Sequence, residues 1–145
     1  MSKKQEMSVY IESKNEKMHY HGNADDQTTI DIDYIAPNGD DNGHTPLELL
    51  LLSLGSCIAM SVTTMLRNRH KTIESATCHV KGFRRDMQPT NFEVIKVQLD
   101  LFSNDLTDKD VQKVMKIAKE KACPVWNMLK NTVEIDVTYT IHQYS

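Results

Sequence analysis

The 145 residues suffice for one domain with a real hydrophobic core. Against 20 acidic residues stand 17 basic ones, scattered rather than clustered, and the formal net charge of −3 argues against the basic stripe that nucleic-acid binding needs. The N-terminal stretch MSKKQEMSVYIESK has no apolar signal core, so a cytoplasmic protein is expected.

Residues 7–35 alternate apolar and polar in the way a half-buried sheet requires, with Val9 and Ile11, then Met18 and Tyr20, then Ile30, Ile32 and Tyr34 on the apolar beat. Turn residues fill 13–16 and 23–26, which predicts a meander of three short antiparallel strands. Residues 36–44, APNGDDNGH, read as a loop. Residues 45–66, TPLELLLLSLGSCIAMSVTTML, form the longest apolar passage. Thr45 supplies a cap hydroxyl, Pro46 suits the first helical position, and Glu48 completes a capping box, so a helix starts here. Leu47, Leu51, Leu54, Ile58, Val62 and Met65 make one broad face, with Leu49, Leu50 and Leu52 beside it, which predicts a helix buried all round. Glu48, Gly55 and five hydroxyl residues interrupt it, so it is not read as a membrane span.

A basic exit over 67–72 suits the negative end of the helix dipole. Strands over about 74–86 and 92–102 follow, joined by a turn at 87–91. Thr107 and Asp110 open a second helix whose buried stripe is Val111, Val114, Met115, Ala118 and Ala122. Pro124 must break it, leaving a short helix to about residue 130. Val133, Ile135, Val137, Tyr139 and Ile141 mark a closing strand. No repeat or linker divides the chain, so residues 1–145 are expected to form a single domain.

Three cysteines carry the chemical interest. Their spacing offers neither a C-x-x-C pair nor a zinc-finger pattern, and an odd count argues against a disulfide framework. Cys78, mid-strand, reads as a small buried side chain. Cys57 lies on a stripe of small residues with Ser53, Ser61 and Thr64, where another segment or a ligand can approach the sulfur. Cys123 precedes Pro124 at the cap of the short helix, and the helix dipole with Lys119 and Lys121 should favour its thiolate. From spacing alone, a redox pair and two buried inert cysteines both stay open. His19 and His21 would share a strand face, but no third ligand stands at a recognisable interval, so no metal is expected.

T-P-L-E-L-L-L-L-S-L-G-S-C, followed much later by A-C-P-V, resembles the two cysteine motifs of the OsmC/Ohr family of peroxide-reducing proteins. The likeness spans about residues 28–141. It implies an α+β, OsmC-like fold of antiparallel sheets wrapped around a buried, cysteine-bearing helix, in an intertwined homodimer. It also implies an organic hydroperoxide reductase without a cofactor. Cys57 would be the peroxidatic residue and Cys123 the resolving one. The partners implied are a small organic or lipid hydroperoxide and a dithiol reductant such as a lipoyl group. Peroxidases of the family pair a glutamate directly after the motif proline with an N-terminal arginine. Here Leu47 follows Pro46, the glutamate is Glu48, and no arginine precedes Arg67. Glu48, His44, Arg84 and Arg85 are the candidates for supporting or activating Cys57. A non-catalytic module that binds an apolar or thiol ligand at the dimer interface is the alternative.

Overall fold

The computed structural model describes residues 5–145, so the first four residues of the polar N-terminal stretch lie outside the described residues. The chain divides into two compact units, Met1–Leu50 and Leu51–Ser145.

The first unit holds the expected meander. Strands β1 (Tyr10–Ser13), β2 (Tyr20–Asn23) and β3 (Ile30–Ile32) pair antiparallel in the order β1-β2-β3. In the β1–β2 turn the Asn15 side chain accepts the backbone N–H groups of Lys17 and His19, at 2.9 and 3.2 Å, which fixes the start of β2. The loop after β3 is built on Asp33, only 1% exposed. Its carboxylate accepts the backbone N–H groups of Tyr34, Asp40 and Asn42. Burial pushes this carboxyl up, but the three N–H bonds outweigh it and hold the group below the ordinary range. Gly39 sits inside that wrap, where any Cβ would collide with the Tyr34 carbonyl and the Asp33 carboxylate. The loop ends at the capping box, with Thr45 N–H donating to Glu48 Oε1 at 2.9 Å and Glu48 N–H to Thr45 Oγ1 at 3.3 Å.

Helix α1 spans Pro46–Asn68. In the second unit its residues Leu54, Ile58, Val62 and Leu66 are fully buried, at the four-residue spacing of a single helical stripe. Ile95, Val97, Leu99 and Leu101 of β5, with Val111, Val114 and Ala118, complete the core. Each of the valine, leucine and isoleucine side chains contributes about 2 kcal/mol by leaving water. Gly55 permits a close approach to β4, since a Cβ there would lie 2.6 Å from Val80 Cγ2. The helix is not buried all round: Leu52 is 54% exposed and Met60 67%. Its length and apolar content would suffice for a membrane crossing, yet the buried stripe is engaged in this core.

Sheet two has the order β4-β5-β6, with β4 at Ser75–Arg84, β5 at Phe92–Phe102 and β6 at Glu134–His142. β4 and β5 pair antiparallel as a hairpin. β6 lies parallel to β5, so this sheet is mixed rather than wholly antiparallel. A long helical crossover between the two strands makes that direction possible. It consists of α2 (Asp108–Ile117), capped by the expected Thr107/Asp110 box, then a π-helical turn at Ala118–Ala122, then α3 (Pro124–Leu129). The sheet's other face is polar, with Thr138 donating to Gln98 at 2.6 Å and His142 bonded to Asp100 at 2.7 Å.

The basic exit of α1 ends in a six-to-one turn. Lys71 N–H donates to the Leu66 carbonyl and His70 N–H to that of Arg67, with His70 at φ 64°. That left-handed position is usually glycine, and a β-carbon there costs about 1 kcal/mol. His70→Gly should therefore raise unfolding stability by about 1 kcal/mol in urea melts. An unchanged or lowered midpoint would show that the His70 side chain compensates for its backbone.

Candidate active site

A regular helix and an irregular turn of the second unit bring together one pair of sulfurs. Cys57 sits mid-way along α1, half-buried, on the stripe of small residues that includes Ser61. Cys123 sits between the π turn and α3, fully buried. Their Sγ atoms are 3.0 Å apart, with both thiols reduced and Cys123 donating toward Cys57.

The position of Cys123 follows from Pro124. Proline has no N–H and disfavours helical geometry in the residue before it, and Cys123 is extended at φ −99°, ψ 105°. The Cys123 N–H then reaches back five residues to the Ala118 carbonyl at 3.0 Å, closing the π turn. Asn127 locks the arrangement. Its side-chain amide donates to the carbonyls of Ala118, at 3.2 Å, and Cys123, at 2.7 Å, and its own oxygen accepts from Lys130 Nζ at 2.8 Å. Sequence reading missed Asn127, although its four-residue spacing from Cys123 was the available signal.

Electrostatics separate the two sulfurs from the expectation. Burial first, then the neighbouring Cys57, push the Cys123 thiol up to about 11. The Trp126 backbone N–H and the Ser61 hydroxyl pull the other way without reversing the shift, and no side-chain cap bond forms at α3. Helix dipole and lysines therefore do not make Cys123 a thiolate. A six-residue helix has a weak field, and Lys119 and Lys121 point to solvent.

Of the four candidate supporting residues, Glu48 and Arg84 have side chains bonded to other partners. Glu48 belongs to the helix cap, where hydrogen bonds from Thr45 hold its carboxyl below the ordinary value. His44 is exposed and uses its backbone to bridge Asp31 and Asp33. The Arg84 guanidinium donates to the Thr90 carbonyl across its own hairpin, and Arg85 N–H donates to the Asn91 carbonyl in the same turn. Among the described residues, the hydrogen bond to Cys57 Sγ comes from Cys123. Cys78, on β4, lies under Gly55, and burial with the Asp100 charge raises its thiol. Two thiols this close can form a disulfide by a shift of about 1 Å, since the bond itself measures about 2.05 Å.

Comparison with known proteins agrees with this architecture. Residues 39–138 match the family model described as OsmC-like protein. Protein YhfA of Escherichia coli K12 is 27% identical over 104 residues, covering 72% of this chain and 78% of YhfA. Among solved structures, a hypothetical protein from Aquifex aeolicus VF5 superposes with a TM-score of 0.85 at 22% identity, covering 98% of this chain and 100% of that one. An organic hydroperoxide resistance protein from Legionella pneumophila gives a TM-score of 0.70 at 14% identity, covering 94% and 99%. With the family model matched over more than half its length and the α+β fold shared with these structures, the chain belongs to the OsmC-like protein family.

Proposed function

We propose that this chain is a thiol peroxidase that reduces organic or lipid hydroperoxides, with Cys57 peroxidatic and Cys123 resolving. The observation that carries this reading is the 3.0 Å approach of a half-buried thiol to a fully buried one. The Legionella pneumophila neighbour, described as an organic hydroperoxide resistance protein, supports a peroxide-related role at the level of the family.

In the first step the Cys57 thiolate attacks the terminal oxygen of ROOH. The O–O bond breaks, the alkoxide takes a proton and leaves as ROH, and Cys57 becomes a sulfenic acid. In the second, Cys123 Sγ attacks the Cys57 sulfur, the S–O bond breaks, and the hydroxyl leaves as water with the Cys123 proton. Two electrons have passed from the thiol pair to the peroxide. A dithiol such as a lipoyl group then reduces the disulfide by thiol exchange. Cys123 must give up its proton as its sulfur attacks, and that proton is the one that leaves with the hydroxyl as water.

A homodimer is part of this reading. Leu52 and Met60 on α1, and separately Tyr10, Ile11 and Tyr20 on the N-terminal sheet, stay exposed in the single chain. An apolar interface over them would favour organic over inorganic peroxides. The second reading, a module that binds an apolar or thiol ligand without turnover, is favoured by the engagement of Glu48 and Arg84 away from Cys57.

Treating reduced protein with cumene hydroperoxide under native conditions and mapping peptides should give a Cys57–Cys123 disulfide. Cys57→Ser should abolish turnover, and Cys123→Ser should leave a sulfenic acid trappable by dimedone. No such disulfide, with turnover intact in Cys57→Ser, would sink the peroxidase reading. In the reduced protein the Cys123 thiol sits at about 11, above its ordinary 9.0. Its share of stability is thus complete below about pH 9 and lost as pH climbs through about 11, a decline that urea melts should detect and that Cys123→Ser should remove. Sedimentation should find a dimer, and Met60→Glu should shift it toward monomer by placing a charge on the exposed apolar side of α1. A monomeric wild type at micromolar concentration would reject the dimer.

A further inference from the structure

We propose that His19, His21 and Asp31 form a binding site for a divalent first-row transition cation, with Zn2+ as the best-suited ion, on one face of the N-terminal sheet. Side chains two apart on a strand share a face, so β2 presents His21 there and the residue leading into β2 presents His19. Antiparallel pairing sets Asp31 of β3 directly opposite His21. The sequence offered two imidazoles without a third ligand; strand pairing supplies one from ten positions further along the chain.

The geometry is close to what a cation requires. Nε2 of His19 lies 2.8 Å from Asp31 Oδ1 and Nε2 of His21 lies 2.9 Å from the same atom. All three donor atoms fall within 4.8 Å of one another, and the two rings stand edge to face, 5.2 Å between centroids. With metal–ligand bonds of about 2.0–2.1 Å, a tetrahedral ion holds its ligand atoms about 3.3 Å apart. The two N···O separations need to widen by about half an ångström. Both rings must present the Nε2 lone pair, with the proton on Nδ1.

The surroundings hold these donors in place. Asn15 accepts the His19 backbone N–H, and Lys14 N–H donates to the His19 carbonyl at 2.8 Å, so the turn before β2 fixes the first imidazole. The hydrogen bond from His19 keeps the Asp31 carboxyl below the ordinary range, and the third ligand is an anion at neutral pH. Asp33, two residues on, does not compete, because backbone N–H groups already fill its oxygens. Glu12 of β1 stands opposite His21 on the same row and adds negative charge beside the site. Two imidazoles and one carboxylate suit Zn2+, Ni2+, Co2+ or Cu2+ over Mg2+ or Ca2+. Three protein ligands leave a fourth position for water or an external donor. An ion bound here would join β2 to the three-residue β3, stapling the weakest pairing of the sheet.

The test must separate this site from the thiols. Reduced full-length chain with 15N-labelled histidine is titrated with Zn2+ and followed by imidazole NMR. At one equivalent the Nε2 signals of His19 and His21 should shift, while those of His44, His70, His79 and His142 stay. Co2+ should give visible ligand-field bands without a sulfur-to-cobalt charge-transfer band. His19→Gln, His21→Gln and Asp31→Asn, each checked for native circular dichroism, should weaken Zn2+ binding by about tenfold or more. Unshifted His19 and His21, unchanged affinity in those variants, or binding that disappears in Cys57→Ser would each overturn the site.

Discussion

One missing hydrogen-bond donor shapes the part of the molecule where the chemistry converges. Pro124 cannot continue the ladder of the crossover helix, so the Cys123 N–H binds the carbonyl five residues back and the chain swings outward through a π turn. Asn127 and Lys130 then satisfy the carbonyls that the break exposes, which makes the irregular backbone a defined conformation rather than a frayed end. On the other side, α1 is regular and anchored by the Leu54, Ile58, Val62 and Leu66 stripe. A fixed helix and a fixed irregularity together set the sulfur separation.

Burial separates the two sulfurs. Cys123 lies wholly out of water, and burial keeps its proton on through the neutral range. Cys57 remains reachable from outside and accepts the Cys123 S–H. In the proposed reaction this asymmetry in access would let the accessible sulfur meet an oxidant first and the buried one follow.

The elements most easily read from residues were those in which one local signal dominates. Alternation gave five of the six strands among the described residues to within a few residues, and the two Thr-led capping boxes at Thr45 and Thr107 gave the starts of the two longer helices. Features that depend on partners distant in sequence were not legible. The parallel direction of β6 follows from the crossover, not from its own alternating residues. The exposed side of α1, with Leu52 and Met60, is one that its apolar pattern placed inside. Periodicity reports that a helix is apolar, and it cannot report what lies against each side. Helix dipole and nearby lysines suggested a thiolate at Cys123, and burial outweighed both. Asp31 could not be joined to the histidine pair until the register of β2 with β3 was known.

The close contact at Gly55 has a consequence for selectivity among thiols. A chain with three cysteines has three ways to form one intramolecular bridge, and scrambled bridges are a common failure under oxidative load. Because residue 55 lacks a side chain, α1 settles directly over β4, where a Cβ would come within 3.4 Å of Cys78 Sγ. That sulfur lies against the helix, and burial with the Asp100 charge raises its thiol. A glycine two residues before Cys57 thereby lets the helix close over the third thiol, leaving the other two sulfurs 3.0 Å apart.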